Sequence, residues 1–335
     1  MTETSSNNGK ETSAPSLHVA PAPHLFGKAL TTRRMMLDVL IALTPLMATA
    51  IWVFHWYAVV QVGICVLTCV ASEAAFTVVR RRSVSVGDLS AVVTGVILGL
   101  SLPWKAGWHV GVISSVVAIG IGKVIFGGLG HNIFNPAMVG RAFVTIAFPL
   151  ALGSAGYVLA DSSLNVVTQA TPLTAAKQGG AIAPLWALLA GNVNGSLGET
   201  SAAACLLGGL YLCLRRSASW EIPAGSIVGL VLVGGIQNLV NSHEGFTVLH
   251  HLLGGAFLYG AFFIATDPVS SPLTHKGKWI YGFIFGVVVM LIRLFSGYPE
   301  GVQFTVLFVN GLAPLINRWT VPTPVGGPVP SPAGK

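Results

Sequence analysis

The sequence predicts an all-α integral membrane protein of about ten transmembrane helices, in two inverted five-helix repeats with broken or re-entrant helices. Three observations carry this. Of 335 residues, 53% are hydrophobic and 9% are charged, against about 25% charged in a soluble domain. Apolar runs near the 20 residues that a bilayer-spanning helix needs recur along the chain. Arginines and lysines stand at the ends of those runs, most of them on one side.

Ten runs qualify: 36–54, 57–79, 88–103, 108–126, 136–155, 199–214, 223–241, 248–266, 279–296 and 301–318. Arg33 and Arg34 precede the first, and Arg80, Arg81 and Arg82 follow the second. The third is short, as broken or re-entrant helices next to Gly and Pro often are. Lys123 and Arg141 flank the turn between the fourth and the fifth. The sixth is short again and ends at Arg215 and Arg216. The eighth is followed by Lys276 and Lys278, and the tenth closes on Arg318. With ten spans these residues share one side, which the positive-inside rule makes cytoplasmic, together with both termini. The other side keeps Lys105, Lys177 and Arg293. "VVTGVILGLSLP" and "AFFIATDPVSSP", each followed by a helix, a glycine-containing turn and another helix, suggest two halves. Five spans per half is an odd number, so the halves are inverted.

The expected organisation is a disordered cytoplasmic tail at 1–30, a first transmembrane repeat at 31–155, an outward loop at 156–198, a second repeat at 199–318 and a second tail at 319–335. The first 24 residues lack an apolar core, so they are not a signal peptide. The formal charge of +7 follows the ends of the apolar runs and does not form a nucleic-acid face. Cys65, Cys69, Cys205 and Cys213 contain no C-x-x-C pair, so they read as packing residues, with a metal or cluster site as the alternative.

Four stretches hold the chemistry. In "GGLGHNIFNPAMVGRAF", Asn135 suits a helix N-cap with Pro136 at the first helical position. Asn132 is left over; two amides three residues apart can also grip a planar, hydrogen-bonding ligand. Glu199, at the start of the sixth span, suits a helix N-terminus, and Asp267, before Pro268, suits a turn cap. Asp38, Glu73 and Asp88 lie toward the cytoplasmic side, Glu73 deepest and two turns from Arg80. A charge at the bilayer centre costs about 2.5–3.5 kcal/mol, so Glu73 is a candidate for an ion or proton path. The polar loop "NVVTQATPLTAAK" (165–177) has no nearby histidine to activate Thr168 or Thr171 as a nucleophile. Alone, it reads as a loop with a turn-forming proline.

Taken together, "LDVLIALTP", "GGLGHNIFNPAMVGRAF", "TQATPLTA", "GSLGETSA", "ATDPVSSP" and "LFSGYPEGVQF" resemble the D-subunit family of the Rnf electron-transport complex. They are similar, less closely, to the B subunit of the sodium-pumping NADH:quinone reductase. The resemblance spans roughly 28–320. It implies FMN held by a phosphoester to the last residue of an S/T-x-A-T motif, here Thr168, Gln169, Ala170 and Thr171, with Thr171 as the acceptor. A flavin transferase would load it on an exposed, extended loop where Pro172 keeps a helix from forming. The chain departs from the wider family motif at Asn165, Val166 and Gln169. The resemblance further implies non-covalent riboflavin at Asn132 and Asn135, and cation uptake or passage at Glu73, Glu199 and Asp267. It implies a urea-transporter-like fold and a place in the bacterial inner membrane with the flavin loop in the periplasm. The implied partners are lipid and the A, B, C, E and G types of Rnf subunit, with no nucleic acid. The implied function is redox-driven translocation of sodium or protons, with electrons passing between ferredoxin and NAD. Two other readings remain: a channel or secondary transporter for a small polar solute, and a structural subunit that scaffolds redox partners.

Overall fold

A computed structural model describes residues 31–81, 86–152, 171–177, 182–191, 193, 195–240, 247–296 and 300–322. Among these the secondary structure is helical; the one extended pairing is an isolated bridge between Pro103 and Ser196. Expectations about residues 1–30, 153–170 (including Thr168 and Ala170) and 323–335 lie outside the described residues, whereas Trp319 and Thr320, expected in the second tail, belong to the last helix.

Helix α1 (Thr32–Phe54) starts where the Thr31 side chain accepts from the Arg34 amide. It ends at His55, whose φ of 54° breaks the helix before α2 (Trp56–Val79). Helix α3 (Ser90–Ser101) and α4 (Trp108–Ile119) follow, and α4 runs on into a π-helical turn at Gly120–Val124. Asn135 caps α5 (Pro136–Ala147), accepting from the Met138 amide at 3.3 Å. The span expected over 136–155 is interrupted at Phe148 before the short α6 (Pro149–Leu152). Helices α7 (Pro172–Lys177) and α8 (Leu185–Ala190) are one to two turns each. Then come α9 (Ala202–Leu214) and α10 (Glu221–Val240). The span expected at 248–266 is three pieces: α11 (Val248–Leu253), α12 (Phe257–Tyr259) and a second π-helical turn at Gly260–Ile264. Helices α13 (His275–Phe295) and α14 (Val302–Thr320) complete the bundle.

Helices α1, α2, α10 and α13 are long and apolar enough to cross a membrane, which makes this a multi-pass membrane protein. Its large apolar side chains point outward as freely as inward: Leu67 is 73% exposed and Leu239 87%, which only a lipid-facing surface tolerates in such number. Exposed tryptophans mark both ends of the bundle. Trp52, Trp56 and Trp108 lie at the end where α1 stops, and Trp220, Trp279 and Trp319 at the end carrying the basic residues.

Inside the bundle, small residues set the distances between helices. Helices α10 and α13 pack along Gly225 and Gly229 on one side and Gly282 and Gly286 on the other, each pair four residues apart. A methyl on Gly225 would stand 2.8 Å from the Trp279 carbonyl, and one on Gly286 2.8 Å from the Leu230 amide. Helix α3 presents Gly95 and Gly99 to Val66 and Val62 of α2 in the same way. Helix α2 also packs on α4, α4 on α5, α13 on α14, α1 on α9, and α5 on α14.

Candidate functional site

Two clusters of buried charge sit at different depths, and each joins residues fifty or more positions apart. Toward the basic end, Lys123 Nζ lies 2.6 Å from Glu73 Oε1 and 2.6 Å from Ser90 Oγ. Ser90 in turn donates to Asp88 Oδ1 at 2.6 Å. The chain Glu73–Lys123–Ser90–Asp88 thus leads from the buried interior toward the end of the bundle. Lys123 belongs to the first π-helical turn; such turns re-aim a side chain that a regular helix would point elsewhere. Sequence spacing suggests Arg80 as the cation near Glu73 and Lys123 as a flank of the turn. Instead, Arg80 donates to the Val124 carbonyl and Lys123 is 2% exposed. A carboxylate this deep needs a cation close by, and Lys123 supplies it.

The second cluster gathers on the opposite side. Arg141 Nη2 is 3.2 Å from Glu199 Oε1 and 3.9 Å from Glu300 Oε2, Arg141 and Glu199 being buried and Glu300 nearly so. Arg141, expected to flank a span at the basic end, is therefore an interior residue of α5. Glu199 is not the cap of α9: Ser201 fills that role, accepting from the Ala204 amide at 3.2 Å. Glu300 also accepts from the Ala256 amide at 3.1 Å. Arg293 donates to the carbonyls of His251 and Gly254, the second at 2.9 Å. Gly255 has a φ of 69°. The break between α11 and α12 frees backbone groups that bulk lipid cannot satisfy; Arg293 and Glu300 satisfy three of them.

Thr171 lies beside this second cluster. A narrow cavity of about 10 Å³ is lined by Thr171, Pro172, Leu173, Glu199, Gly255 and Glu300, among others. Helix α7 starts directly after Thr171, with Pro172 at its first position. The Thr171 hydroxyl is 2.8 Å from Thr174 Oγ1, and its carbonyl accepts from the Ala175 amide at 2.9 Å. Thr171 is 5% exposed. The extended, open acceptor loop expected here is a buried helix start instead, because proline is favoured, not excluded, in the first turn.

The amide turn bonds both within itself and to α14. The Asn132 side-chain nitrogen donates to the Phe134 carbonyl at 3.2 Å. Asn310 of α14, oriented to satisfy both neighbours, donates to Tyr281 Oη at 2.5 Å and accepts from the Asn135 amide at 2.9 Å. Asp267 caps its turn as expected, accepting from the Val269 amide at 3.2 Å and Ser270 Oγ at 3.1 Å. The bonds of Asp267 thus stay within its own turn, while the amide turn ties itself to α14.

The Lys123–Glu73 pair yields a checkable expectation. Lys123→Met should cost about 3–5 kcal/mol by stranding a buried carboxylate. Lys123→Met with Glu73→Gln should recover most of that loss in chemical denaturation in detergent. Equal damage in the single and double variants would show that the two side chains are not coupled.

Comparison with known proteins adds a family match and three relatives. Residues 18–326 match the family described as NQR2, RnfD, RnfE. The chain is 42% identical to the D subunit of the Na(+)-translocating ferredoxin:NAD(+) oxidoreductase complex of Acetobacterium woodii, covering 91% of this chain and 93% of that one. It is 37% identical to the D subunit of the ion-translocating oxidoreductase complex of Halorhodospira halophila (89% and 92% covered), and 33% identical to its counterpart in Escherichia coli (92% and 98%). With a family match over nearly its whole length, this chain belongs to the NQR2, RnfD, RnfE family.

Proposed function

We propose that this chain is the flavin-carrying membrane subunit of an ion-translocating ferredoxin:NAD oxidoreductase, relaying electrons and forming part of the ion path. The observation that carries this is the likeness, at 33–42% identity over most of both chains, to the D subunits of complexes named as ion-translocating oxidoreductases. In this reading the chain sits in the inner membrane with cytoplasmic termini, beside partner subunits of the Rnf types. It carries FMN on Thr171, attached by a flavin transferase. Its ten spans form two inverted halves. Supporting that architecture, α2–α4 and α4–α5 contacts in the first half correspond to α10–α13 and α13–α14 contacts in the second, and α1–α9 and α5–α14 pair across the halves.

Thr171 is buried and its hydroxyl is bonded to Thr174, so loading by a transferase needs this segment to open. Thr171 is among the residues lining a cavity with Glu199 and Glu300, and Arg141 faces both carboxylates. The cavity is about one water in size, so it does not enclose a flavin ring. Bound FMN would supply one- and two-electron transfer; the chain's own part is to hold it next to charges that respond to it. Arg141 keeps two carboxylates in a water-poor site, where any change in neighbouring charge is weakly screened. Glu73 with Lys123 forms a second such pair on the other side of the bundle. An ion path that passes both needs each pair to open in turn, and that requires a differential interaction with the two charge states of the site. Riboflavin at Asn132 and Asn135 belongs to this reading as its second flavin.

The test is in-gel fluorescence with mass spectrometry on the chain isolated from its own host. Wild type and Thr171→Ser should both show a fluorescent band and an added flavin phosphate on the peptide spanning residue 171; Thr171→Ala should show neither. A flavin band that persists in Thr171→Ala would remove the acceptor assignment. No flavin in wild type would favour a solute pore.

A further inference from the structure

At the basic end of the bundle a cavity of about 300 Å³ opens between the start of α1, the α9–α10 connection and the start of α13. Its lining includes Arg216, Lys278, Ser219, Thr266, Ser271 and Met35. Among the described residues, two of those lining it are cations and none is an acid. The acids that lie close by are engaged elsewhere. Asp38 accepts from Ser217 at 2.7 Å and pairs with Arg215 at 3.4 Å. Glu221 is 2.5 Å from His275 Nδ1. Asp267, next to two lining residues, is turned onto Val269 and Ser270. Among the described residues Arg216 has no acidic partner, and Lys278 Nζ has a neutral one, Ser219 Oγ at 2.6 Å. The site therefore offers two positive charges and several hydroxyls to whatever enters it.

Its level in the membrane is marked by tryptophan. Trp220 and Trp279 flank the cavity in sequence and meet edge to face with centroids 5.6 Å apart. Both are exposed, as aromatic side chains at the headgroup level are. Leu273, a lining residue 51% exposed, continues the rim into the apolar surface. A soluble anion would need no apolar rim; a lipid would need both the rim and the cations.

We propose that this cavity binds the phosphate headgroup of an anionic phospholipid, with Arg216 and Lys278 as its cationic contacts. The headgroup would bridge the start of α1 to the second half of the chain. A basic pocket between helices is a recurrent headgroup site, and each Lys or Arg near the surface adds about fivefold in affinity for an anionic over a zwitterionic lipid. Two cations predict a preference of about 30-fold.

The test uses the full chain in dodecyl maltoside with phosphatidylglycerol or phosphatidylcholine of the same acyl chains. Phosphatidylglycerol should raise Tm by several degrees more than phosphatidylcholine, and native mass spectrometry should show it retained in preference. Arg216→Gln with Lys278→Gln should keep the phosphatidylcholine Tm and lose most of the difference. Equal stabilisation by the two lipids, or an undiminished difference in the double variant, would overturn the proposal. So would inorganic phosphate or glycerol phosphate reproducing the whole effect, which would mean a free-anion site. Should the double variant not fold, a photoreactive phosphatidylglycerol on the wild-type chain decides: labelling of the peptides holding Met35 and Leu273 supports the site, and labelling only elsewhere rejects it.

Discussion

Arg141→Met is expected to lower the stability of the chain by about 3–5 kcal/mol, the range for stranding a buried carboxylate by removing its partner. Two carboxylates are affected, since Glu199 and Glu300 both face the same guanidinium. Moving Glu300 also disturbs the Ala256 amide that it accepts from, and with it the break between α11 and α12. Arg141→Lys should recover part of the loss: one nitrogen, Nη2, faces both carboxylates, and the shorter lysine must bring its ammonium to that same place. Adding Glu199→Gln to Arg141→Met should be less damaging than Arg141→Met alone, since one uncompensated charge is gone. The measurement is a chemical-denaturation series in detergent with all three variants. A loss under about 1 kcal/mol for Arg141→Met would mean that water reaches the cluster and screens it.

The long helices are legible in the chain because their signal is local. The runs at 36–54 and 57–79 correspond to α1 and α2, and those at 223–241 and 279–296 to α10 and α13, with ends a few residues apart. Caps are legible for the same reason: Asn135 with Pro136, and Asp267, act within three residues of themselves. The break inside 248–266 is hidden because "LLGGAFLYGAFFIA" is apolar throughout, and hydropathy does not record a glycine's φ. The pairings are hidden by separation. Glu73 and Lys123 are 50 residues apart, Arg141 and Glu199 58, and no periodicity reports such contacts.

One pairing does leave a usable signal. Arg141 stands five residues inside α5, in "PAMVGRAFV", where a lone charge has no interface to reach. An intramembrane arginine in that position demands a carboxylate partner, and Glu199, at the start of an apolar run, is a candidate. Counting Arg141 as a flanking positive charge conceals this. Without Lys123 and Arg141, the residues Arg33, Arg34, Arg80, Arg215, Lys276 and Arg318 still share one side of the expected arrangement, so the predicted orientation stands on them.

The glycines of α10 offer a comparison within a single helix. Gly229→Val should separate α10 from α13, whereas Gly235→Val should be nearly silent. At Gly229 an added Cβ would stand 3.0 Å from the Val287 amide and closer still to the Phe283 carbonyl, both backbone atoms that cannot rotate away. At Gly235 nothing lies within 4 Å. Overpacking costs about 1–3 kcal/mol in a core that can adjust by side-chain shifts; with backbone on both sides the cost should reach the top of that range. The loss should be larger in lipid-like surroundings than a side-chain truncation on the same face. Helix association there depends on close packing rather than on expulsion of water. The gain in helix propensity from removing a glycine is shared by both variants, so the difference between them isolates the contact. Thermal midpoints and folded yield in one detergent provide the measurement. Similar behaviour of the two variants would mean that α10 and α13 are not held together by backbone-to-backbone contact.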